Sequence, residues 1–294
     1  VHARSHIPAI SCFLANKLYG VKCLFDHRGL VIEEHIYSGI WKRNSITHRI
    51  MEYLLKKSLN YCEKIVVVSN NAKKYMLKYG SSVQNKTKVI YNCYDQDRFC
   101  DKAAGINNRT MVFLGALDYW QNPERIAMAI KNYLSLFVDS YAKIYTYDKK
   151  DKILKYLSPD LKKRVEFKKV LPEDVSNHLA RASFGVIFRE DNFSGNFRSS
   201  ICAPIKFAEY LAAGLPVIVQ TDIGDISALV EKENIGFIYN PQMHTMDDIL
   251  SKMDKLINSD VDILRHRCRL IAKKYFSLDI AVNKYETRYN DLVR

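Results

Sequence analysis

Three adjacent residues with chemically active side chains follow a short apolar segment near the beginning of the chain. Asp26, His27 and Arg28 come after the predicted strand Lys22–Phe25 and before Gly29. In open α/β sheets, ligands bind outside the carboxyl ends of the strands. The three residues are therefore candidates for a ligand site. The alternative is that Asp26 and Arg28 pair with each other or cap a turn.

Residues 203–219 read as a helix that is followed at once by a buried strand. Pro204 suits the first position of the helix, where its missing N–H is not needed. Gly214 suits the position just after the helix, where φ can be positive. The β-branched run that starts at Pro216 is typical of a central strand.

One face of this predicted helix carries charged side chains. A helical wheel places Lys206, Glu209 and Tyr210 opposite an apolar stripe. The stripe consists of Ile205, Phe207, Ala208, Leu211 and Ala212. A helix that buries this stripe on a sheet and presents a carboxylate on its other side can hold a ligand. The alternative is that Lys206 and Glu209 form an ordinary solvated i,i+3 pair.

The composition is that of a basic globular protein. Hydrophobic residues make up 48% and charged residues 26% of the 294 positions, and this length favours two domains. The 45 Lys and Arg residues against 32 acidic residues give a net charge of +13. Such a charge favours anionic partners, namely nucleotides, phospholipid surfaces or nucleic acid, although it can also serve solubility alone.

The cysteines indicate a reducing compartment. Seven occur at scattered positions without a Cys-x-x-Cys motif, which argues against a disulfide framework or a zinc site. No apolar run approaches the roughly 20 residues of a membrane-spanning helix. We therefore expect a cytoplasmic location. Because the sequence begins at Val1 inside what reads as the end of a strand, we expect a first domain that is incomplete and has fewer parallel strands than the second.

Strand and helix patterns alternate along the whole chain. The predicted strands are residues 22–25, 64–69, 88–92, 110–115, 142–147, 165–170, 184–188, 216–219 and 236–239. Alternating βα units with apolar strands indicate parallel, doubly wound sheets. The polar segment 95–108 is the best linker candidate. The pattern predicts two Rossmann-like domains, residues 1–105 and 106–275, and a C-terminal helix, residues 276–294, that crosses back to the first domain.

Motifs that mark several other enzyme classes do not occur in the sequence. There is no Gly-x-Gly-x-x-Gly, no Walker loop, no His-Glu-x-x-His and no nucleophile elbow. These absences argue against a dinucleotide oxidoreductase, a P-loop NTPase, a zincin and an α/β-hydrolase.

The predicted helix Asn44–Tyr61 is amphipathic, carries Lys56 and Lys57, and follows the basic and aromatic residues 41–43. Such a segment can lie on an anionic membrane surface. The alternative is a helix that packs on its own sheet and exposes a basic face to solvent.

Taken in order, these segments resemble the family-four glycosyltransferases of the GT-B fold. Residues 204–218 (Pro-Ile-Lys-Phe-Ala-Glu-Tyr-Leu-Ala-Ala-Gly-Leu-Pro-Val-Ile) resemble the donor-binding helix and strand of that family. Phe25–Gly29, with Glu33 and Glu34, resembles the loop that lines the cleft in the N-terminal domain. The other matching segments are His2–Ala9, Lys64–Ser69, Val89–Asn92, Phe113–Gly115 and Phe276-Ser277 with Tyr285, Glu286 and Tyr289.

The resemblance implies a retaining sugar transfer by two Rossmann-like domains that face each other across a cleft. It makes Asp26, His27 and Arg28 the candidate catalytic residues. The C-terminal domain would bind a nucleotide-sugar, with Glu209 accepting hydrogen bonds from the ribose hydroxyls. No cofactor and no metal ion is implied.

A nucleotide diphosphate needs backbone N–H groups, a helix N-terminus and basic side chains. The helix that begins near Pro204 offers its positive end, and the turn at Gly115 follows a predicted strand. The basic candidates are Arg189, Arg198 and Lys206. For both arginines the alternative is an ordinary surface position.

The sequence departs from the family pattern at three positions. Ile201 occupies the place of a glutamate that often touches the donor sugar, and Ala116 and Asn122 occupy the places of a basic pair. The departures leave the choice of donor open and keep an inactive protein of the same fold as an alternative.

We therefore predict a retaining glycosyltransferase that moves a sugar from a nucleotide-sugar to a glycan or a lipid-linked acceptor. The reaction would belong to cell-envelope polysaccharide synthesis, in the cytoplasm and with peripheral contact to the inner membrane face. An inactive nucleotide-binding or scaffold protein is the first alternative. A nucleic-acid-binding protein ranks last, because the basic residues form no aromatic-interleaved patch.

Overall fold

A computed structural model describes residues 1–99, 109–190 and 198–293 of the chain. The contacts divide these residues into two compact units. The first unit contains the described residues of 1–92, 192–203 and 279–294, and the second contains those of 93–191 and 204–278.

These ranges differ from the predicted domains at two places, and hydrogen bonds explain both. Tyr94 N donates to the carbonyl oxygen of Phe276 at 3.0 Å, which attaches the residues after 92 to the second unit. Ser69 Oγ donates to the carbonyl oxygen of Ile201 at 2.8 Å, which attaches residues 198–203 to the first unit. Most of the predicted linker, residues 100–108, lies outside the described residues.

The first unit is built on a parallel sheet of four strands among its described residues. Strand order in the sheet follows chain order, β1 (His2–Arg4), β2 (Leu24–His27), β3 (Lys64–Val67) and β4 (Thr87–Val89). The helices are α1 (His6–Tyr19), α2 (Val31–Tyr37), α3 (Ile46–Tyr61), α4 (Asn70–Tyr75), α5 (Ser81–Asn85), α10 (Arg198–Ile201) and α15 (Leu278–Val293).

Local sequence signals explain where the helices of this unit begin and end. Ser45 caps α3, because its Oγ accepts a hydrogen bond from His48 N at 3.2 Å. Ser69 caps α4 in the same way, with Ala72 N as the donor at 2.9 Å. The α1 helix ends at Gly20, whose φ of +65° favours glycine.

The core of the first unit lies between the sheet and its helices. Apolar side chains of the strands pack against buried side chains of α1, α3 and α4. Its strand and helix residues include Phe25, Ile65, Val67, Ala9, Leu55, Leu59 and Ala72. The burial of these side chains is the main favourable term that holds the unit together.

The second unit contains a parallel sheet of six strands in the described part of the chain. The strands are β5 (Thr110–Leu114), β6 (Tyr141–Tyr145), β7 (Val165–Lys168), β8 (Phe184–Ile187), β9 (Val217–Gln220) and β10 (Gly236–Tyr239). Their order is β10-β9-β8-β5-β6-β7, so the winding direction reverses between β5 and β8. Ligands of doubly wound sheets bind at the carboxyl ends of the strands where this reversal occurs.

Helices separate these strands along the chain and continue to its last segment. They are α6 (Pro123–Leu136), α7 (Asp151–Leu154), α8 (Pro159–Lys162), α9 (Val175–Ala180), α11 (Ile205–Ala212), α12 (Ile226–Glu233), α13 (Met246–Ser259) and α14 (Val261–Phe276). The predicted α/β class with two parallel sheets is confirmed, and every predicted strand overlaps an observed one. The first sheet has fewer strands than the second among the described residues, as predicted.

The predicted faces of α11 are correct for Phe207, Ala208, Leu211 and Ala212, which are buried, but wrong for three other residues. Tyr210 and Lys206 are buried, whereas Ile205, which was assigned to the buried stripe, is 50% exposed. The reason is that α11 contacts the strands β8 and β9 and also α14, so that most of its circumference is covered. The helix begins at Ile205, and Pro204 precedes it as an extended capping residue with ψ of 125°. Gly214 has the predicted positive φ, +79°.

Tyr210 fits into the sheet because Gly185 has no side chain. A Cβ atom on Gly185 would lie 2.6 Å from Tyr210 Cδ2, well inside van der Waals contact. The Tyr210 hydroxyl accepts a hydrogen bond from Leu114 N at 2.8 Å. The tyrosine thereby connects α11 with both strands that border the reversal of the sheet.

We expect Gly185→Ala to lower the free energy of unfolding of the second unit by about 2–4 kcal/mol, because the new methyl group overlaps a fixed aromatic ring. Urea denaturation would measure the loss. If the loss is steric, the double variant Gly185→Ala/Tyr210→Leu should lose much less stability than the sum of the losses in the two single variants. Strictly additive losses would contradict this explanation.

Candidate functional site

A buried ammonium group lies at the carboxyl end of β5 in the second unit. Lys206, which is 6% exposed, places its Nζ 4.2 Å from the centroid of the Phe113 ring and donates to Gln121 Oε1 at 2.8 Å. A Cβ atom on Gly115 would lie 3.0 Å from this Nζ, and Gly115 has a φ of +125°. A glycine is therefore required at the turn where the cation meets the strand end.

Glu209 lies one helical turn after Lys206 on α11 and is partly buried. Burial raises the pKa of Glu209, and the positive charges of Lys206 and Arg98 oppose that rise. The alternative of an ordinary solvated pair does not describe these residues, because Lys206 is buried and bonds to Gln121. The arrangement offers one cation and one carboxylate at the reversal of the sheet.

Arg189 lies two residues after the end of β8, the other strand of the reversal. Its backbone N donates to Gln220 Oε1 at 3.1 Å, and its carbonyl oxygen accepts from Asn122 Nδ2 at 3.4 Å. Its Nε is buried and has no partner among the described residues. Arg189 is thus at a strand edge, as predicted. The candidate role of Arg198 depends on its side chain, which lies outside the described part of the structure.

Asn122 has a structural task where the resemblance expects a basic residue. With φ of +50° it precedes α6, and its Oδ1 accepts from Arg125 N at 3.0 Å. This cap and the bond to Arg189 fix the loop after β5. Asn122 therefore supplies no positive charge at this edge, where Lys206 and Arg189 are the basic residues.

In the first unit, two of the three candidate catalytic residues, Asp26 and His27, lie on opposite faces of a strand. The strand β2 extends to His27, beyond the predicted end at Phe25, so Asp26 and His27 are both strand residues. Successive side chains of a strand point to opposite faces. His27 packs beside His6, with the ring centroids 4.9 Å apart, whereas Asp26 accepts from Arg28 Nε at 2.8 Å. The three candidate catalytic residues do not form one cluster.

Arg28 uses its three donor nitrogens to join distant segments of the first unit. Besides Asp26, it donates from Nη1 to Asn92 Oδ1 at 2.7 Å and from Nη2 to the Tyr285 hydroxyl at 2.6 Å. Asn92 Nδ2 in turn donates to the carbonyl oxygen of Ala203 at 2.5 Å. The pairing of Asp26 with Arg28, which the sequence left open as an alternative, is therefore observed.

His6 and His27 are almost completely buried, at 2% and 1% exposure. Burial lowers the pKa of His27 to about 4, and burial together with the nearby His27 and His35 lowers the pKa of His6 to about 3. Both rings are neutral at pH 7. Both nitrogens of His6 and Nε2 of His27 lack hydrogen-bond partners among the described residues. The sequence did not identify His6 as a candidate functional residue, because His6 lies at the beginning of a helix and the residues around it form no ligand motif.

The carboxyl ends of β2 and β3 border a partly enclosed recess in the first unit. Ile201 closes one side of it and is 6% exposed, packed into the core of that unit. The position where the resemblance expects a sugar-contacting glutamate is therefore apolar and fixed by the bond from Ser69. The recess is lined by His27, Arg28, Gly29, Leu30, Glu34, Val68, Ala72, Ile201 and Cys202.

The described residues contain neither a metal-ligand cluster nor a membrane-spanning helix. Within residues 1–99, 109–190 and 198–293, no group of three or more His, Cys, Asp or Glu side chains is arranged to hold a metal ion. In the same ranges, no helix has the length and apolar character needed to cross a membrane. The predicted independence from metals and the predicted peripheral membrane contact stay predictions.

Comparison with sequence families matches both halves of the chain. A profile described as Glycosyltransferase Family 4 matches residues 1–98, and one described as Glucosyltransferase 3-like, C-terminal domain, matches residues 135–278. Among curated proteins, glucosyltransferase 3 of Streptococcus parasanguinis is 24% identical over 237 residues, which is 76% of this chain and 69% of that protein.

Solved structures with the same fold agree with the profiles. Sucrose-phosphate synthase of Thermosynechococcus elongatus is similar with a TM-score of 0.75 and 15% identity, over 99% of this chain and 73% of that one. HepE of Anabaena, solved with UDP, is similar with a TM-score of 0.74 and 14% identity, over 98% and 77% of the two chains. The chain is a glycosyltransferase of the GT-B fold. All its candidate donor residues except Arg198 lie on the second unit of this glycosyltransferase, whereas Arg198 lies on the first.

We expect Arg28→Ala in the glycosyltransferase to lower the free energy of unfolding of the first unit by about 3–5 kcal/mol, because Asp26 is left buried without its cation. Hydrogen exchange should also become faster in residues 279–293, since Tyr285 loses its bond. The control is Arg43→Ala, because the Arg43 side chain is 61% exposed and pairs with Glu33; it should cost less than about 1 kcal/mol. Equal losses would contradict the role of Arg28.

The neutral histidines should make stability depend on pH. In the unfolded chain they bind protons below about pH 6.5. In the fold they stay neutral down to about pH 3 for His6 and about pH 4 for His27. The unfolded state therefore binds more protons in this window. Stability is full above about pH 6.5 and falls as the pH is lowered.

At pH 5 the loss should be on the order of 1–2 kcal/mol for each histidine. Urea denaturation at pH 7 and pH 5 would measure it in the wild-type glycosyltransferase and in His6→Gln. The variant should lose less stability between the two pH values than the wild type does. An unchanged difference would show that His6 does not titrate as described.

Proposed function

We propose that this glycosyltransferase transfers a hexose from a UDP-sugar to a glycan or lipid-linked acceptor with retention of configuration. The single observation that carries the proposal is the buried Lys206 ammonium over Gly115, with Glu209 one turn away, at the reversal of the second sheet. This is the place where a doubly wound sheet binds its ligand.

The relatives support the nature of the donor. The streptococcal relative is named glucosyltransferase 3, and HepE was solved with UDP and with UDP-glucose. UDP-glucose is therefore the first donor to test. The acceptor, the retention of configuration and a role in cell-envelope polysaccharide synthesis are parts of the proposal that come from the family resemblance.

The chemistry follows from the charges at the site. Departure of the nucleotide leaves negative charge on a phosphate oxygen, and a fixed cation in a partly buried site stabilises that charge. Lys206 supplies such a cation, held by Gln121 and by the face of Phe113. Glu209 can accept hydrogen bonds from two vicinal ribose hydroxyls. In this scheme the transfer uses no cofactor and no metal ion.

Peripheral contact with the inner face of the membrane is the remaining part of the proposal. Ile46, Ile50 and Tyr53 on α3 are exposed, and Lys56 is exposed on the same helix. Basic and apolar side chains on one helix can approach an anionic lipid surface. Membrane contact would bring the enzyme to a lipid-linked acceptor, and the donor chemistry does not depend on it.

One observation favours a second candidate, an inactive nucleotide-binding protein. Ile201 is fixed in the apolar core of the first unit, so no carboxylate is available there for a donor sugar. In that case UDP would bind without any turnover of UDP-glucose.

We expect Glu209→Ala to weaken UDP binding about 10- to 100-fold, because it removes a charged acceptor of hydroxyl hydrogen bonds. Lys206→Met should lower UDP-glucose turnover about 100-fold or more, since it removes the cation while keeping the length of the side chain. Calorimetry with UDP and release of UDP from UDP-glucose would measure the two effects.

Matched controls are Glu231→Ala and Lys232→Met, both exposed on α12, which should bind UDP and turn over UDP-glucose as the wild type does. A wild-type protein that binds neither UDP nor UDP-glucose would refute the proposed function. Binding of UDP without turnover of UDP-sugars would favour the inactive alternative.

A further inference from the structure

One edge of the second unit carries a dense group of basic residues. Residues 147–171 contain nine Lys and Arg residues and four acidic residues. This short stretch therefore has a net charge of +5, out of +13 for all 294 residues. A surface with so much positive charge attracts anionic partners.

Hydrogen bonds between the ends of β6 and β7 bring four of these lysines to one corner of the sheet. Tyr145 of β6 is the register partner of Lys168 of β7, and Thr146 N donates to the carbonyl oxygen of Lys168 at 3.1 Å. The Tyr147 hydroxyl donates to the carbonyl oxygen of Val170 at 3.1 Å. The residues that follow the two strands therefore lie side by side. The exposed residues at this corner form the basic edge, which consists of Tyr147, Lys149, Lys150, Lys168, Lys169 and Leu171.

The four lysines of the basic edge are not neutralised within the unit. In the described part of the chain, none of them forms an ion pair with a carboxylate, and Lys168 Nζ lies 3.1 Å from Nε2 of the His178 ring. The neighbouring carboxylate of Asp148 accepts hydrogen bonds from Lys152 Nζ at 2.9 Å and from Leu117 N at 2.6 Å. The positive charge of the basic edge is therefore available to a partner.

Protection of the sheet explains only part of the basic edge. The strand β7 lies at the border of the sheet, and a lysine on a border strand prevents pairing with another chain. This explanation covers Lys168, but it does not cover Lys149 and Lys150, which follow the inner strand β6. Nor does it cover Tyr147 and Leu171, which are 65% and 55% exposed, because apolar side chains favour association. Lysines and exposed apolar side chains together indicate a partner.

The combination of side chains fits an anionic membrane surface. Lysines are attracted to anionic headgroups, and Tyr and Leu side chains enter the boundary between headgroups and acyl chains. The one arginine of residues 147–171 does not take part, because the Arg164 guanidinium donates to the carbonyl oxygens of Leu134 and Phe137. The available cations are lysines, which act as point charges and do not form a fork around one phosphate. This favours a layer of headgroups over a single fixed anion.

We propose that the basic edge binds the anionic headgroups of a phospholipid membrane, with its lysines at the phosphates and with Tyr147 and Leu171 among the headgroups. The inference rests on the membrane contact proposed above. It assigns a contact surface on the second unit, whereas α3 belongs to the first. Nucleic acid is the other polyanion that such a surface attracts, and the test therefore includes it.

The test measures sedimentation of the whole protein with vesicles made of equal parts of phosphatidylcholine and phosphatidylglycerol. The edge variant combines Lys149→Gln, Lys150→Gln, Lys168→Gln and Lys169→Gln. Its vesicle affinity should be about 10-fold or more below that of the wild type, since each lysine near an anionic surface adds to binding. Leu171→Ser should lower the affinity about 3-fold or more, because it removes an apolar side chain without changing the charge.

The second unit offers matched controls on α13 and α14. The charge control replaces four other exposed lysines by Gln, namely Lys252, Lys255, Lys273 and Lys274. The apolar control is Leu270→Ser, because Leu270 is 52% exposed. Both controls should keep the vesicle affinity within about 2-fold of the wild type, since charges more than a Debye length from the membrane are screened.

Three results would overturn the inference. They are an edge variant that binds the vesicles as the wild type does, equal losses in the edge variant and the charge control, and an edge variant that loses binding to a DNA oligonucleotide but keeps binding to vesicles. If Lys56→Gln with Lys57→Gln on α3 abolishes vesicle binding and the edge variant does not weaken it, the membrane contact stands and the basic edge is refuted. A wild-type protein that binds UDP but no anionic vesicles would refute the membrane contact and leave the proposed sugar transfer intact.

Discussion

The second unit buries a positive charge at the point where the winding direction of its sheet reverses. An ammonium group loses much of its hydration when it is taken from water, and this loss must be offset by fixed partners. At Lys206 the partners are an amide oxygen and the face of an aromatic ring, and both are held by the loop and strand around Gly115. The absence of a side chain at that glycine gives the cation its space. A preformed cation costs little reorganisation when an anion arrives.

A different constraint governs the first unit, whose described residues come from three separate stretches of the chain. A single guanidinium group bonds to the first and third of these stretches, and one of its partners bonds to the second. Arg28 bonds to Asp26 in β2, to Asn92, three residues after β4, and to Tyr285 in α15, and Asn92 extends the network to Ala203. Arginine suits this task because its donors form a rigid planar fork. A lysine also has three N–H donors, but they share one nitrogen and do not form such a fork.

Much of the architecture was predictable from local patterns, because buried parallel strands are continuous apolar runs between helices. The strand positions and the left-handed Gly214 follow from such signals. The covered faces of α11 could not be predicted in this way. A helical wheel assumes one buried side and cannot include the contact with α14, which comes from a distant part of the chain. The partners of Arg28 were hidden for the same reason, because Tyr285 lies 257 positions away. His6 and the recess depend on tertiary contacts that have no sequence signature.

The terminal helix has a consequence for how the protein is made. Its described residues from 279 onward belong to the first unit, and Arg28 obtains its Tyr285 partner only after the chain has been made as far as residue 285. Contacts between residues so far apart in sequence form late and slowly. During synthesis on the ribosome, the early strands therefore wait, with part of their surface uncovered, until α15 emerges. A chain of this design is most vulnerable to aggregation and proteolysis before that helix has been translated.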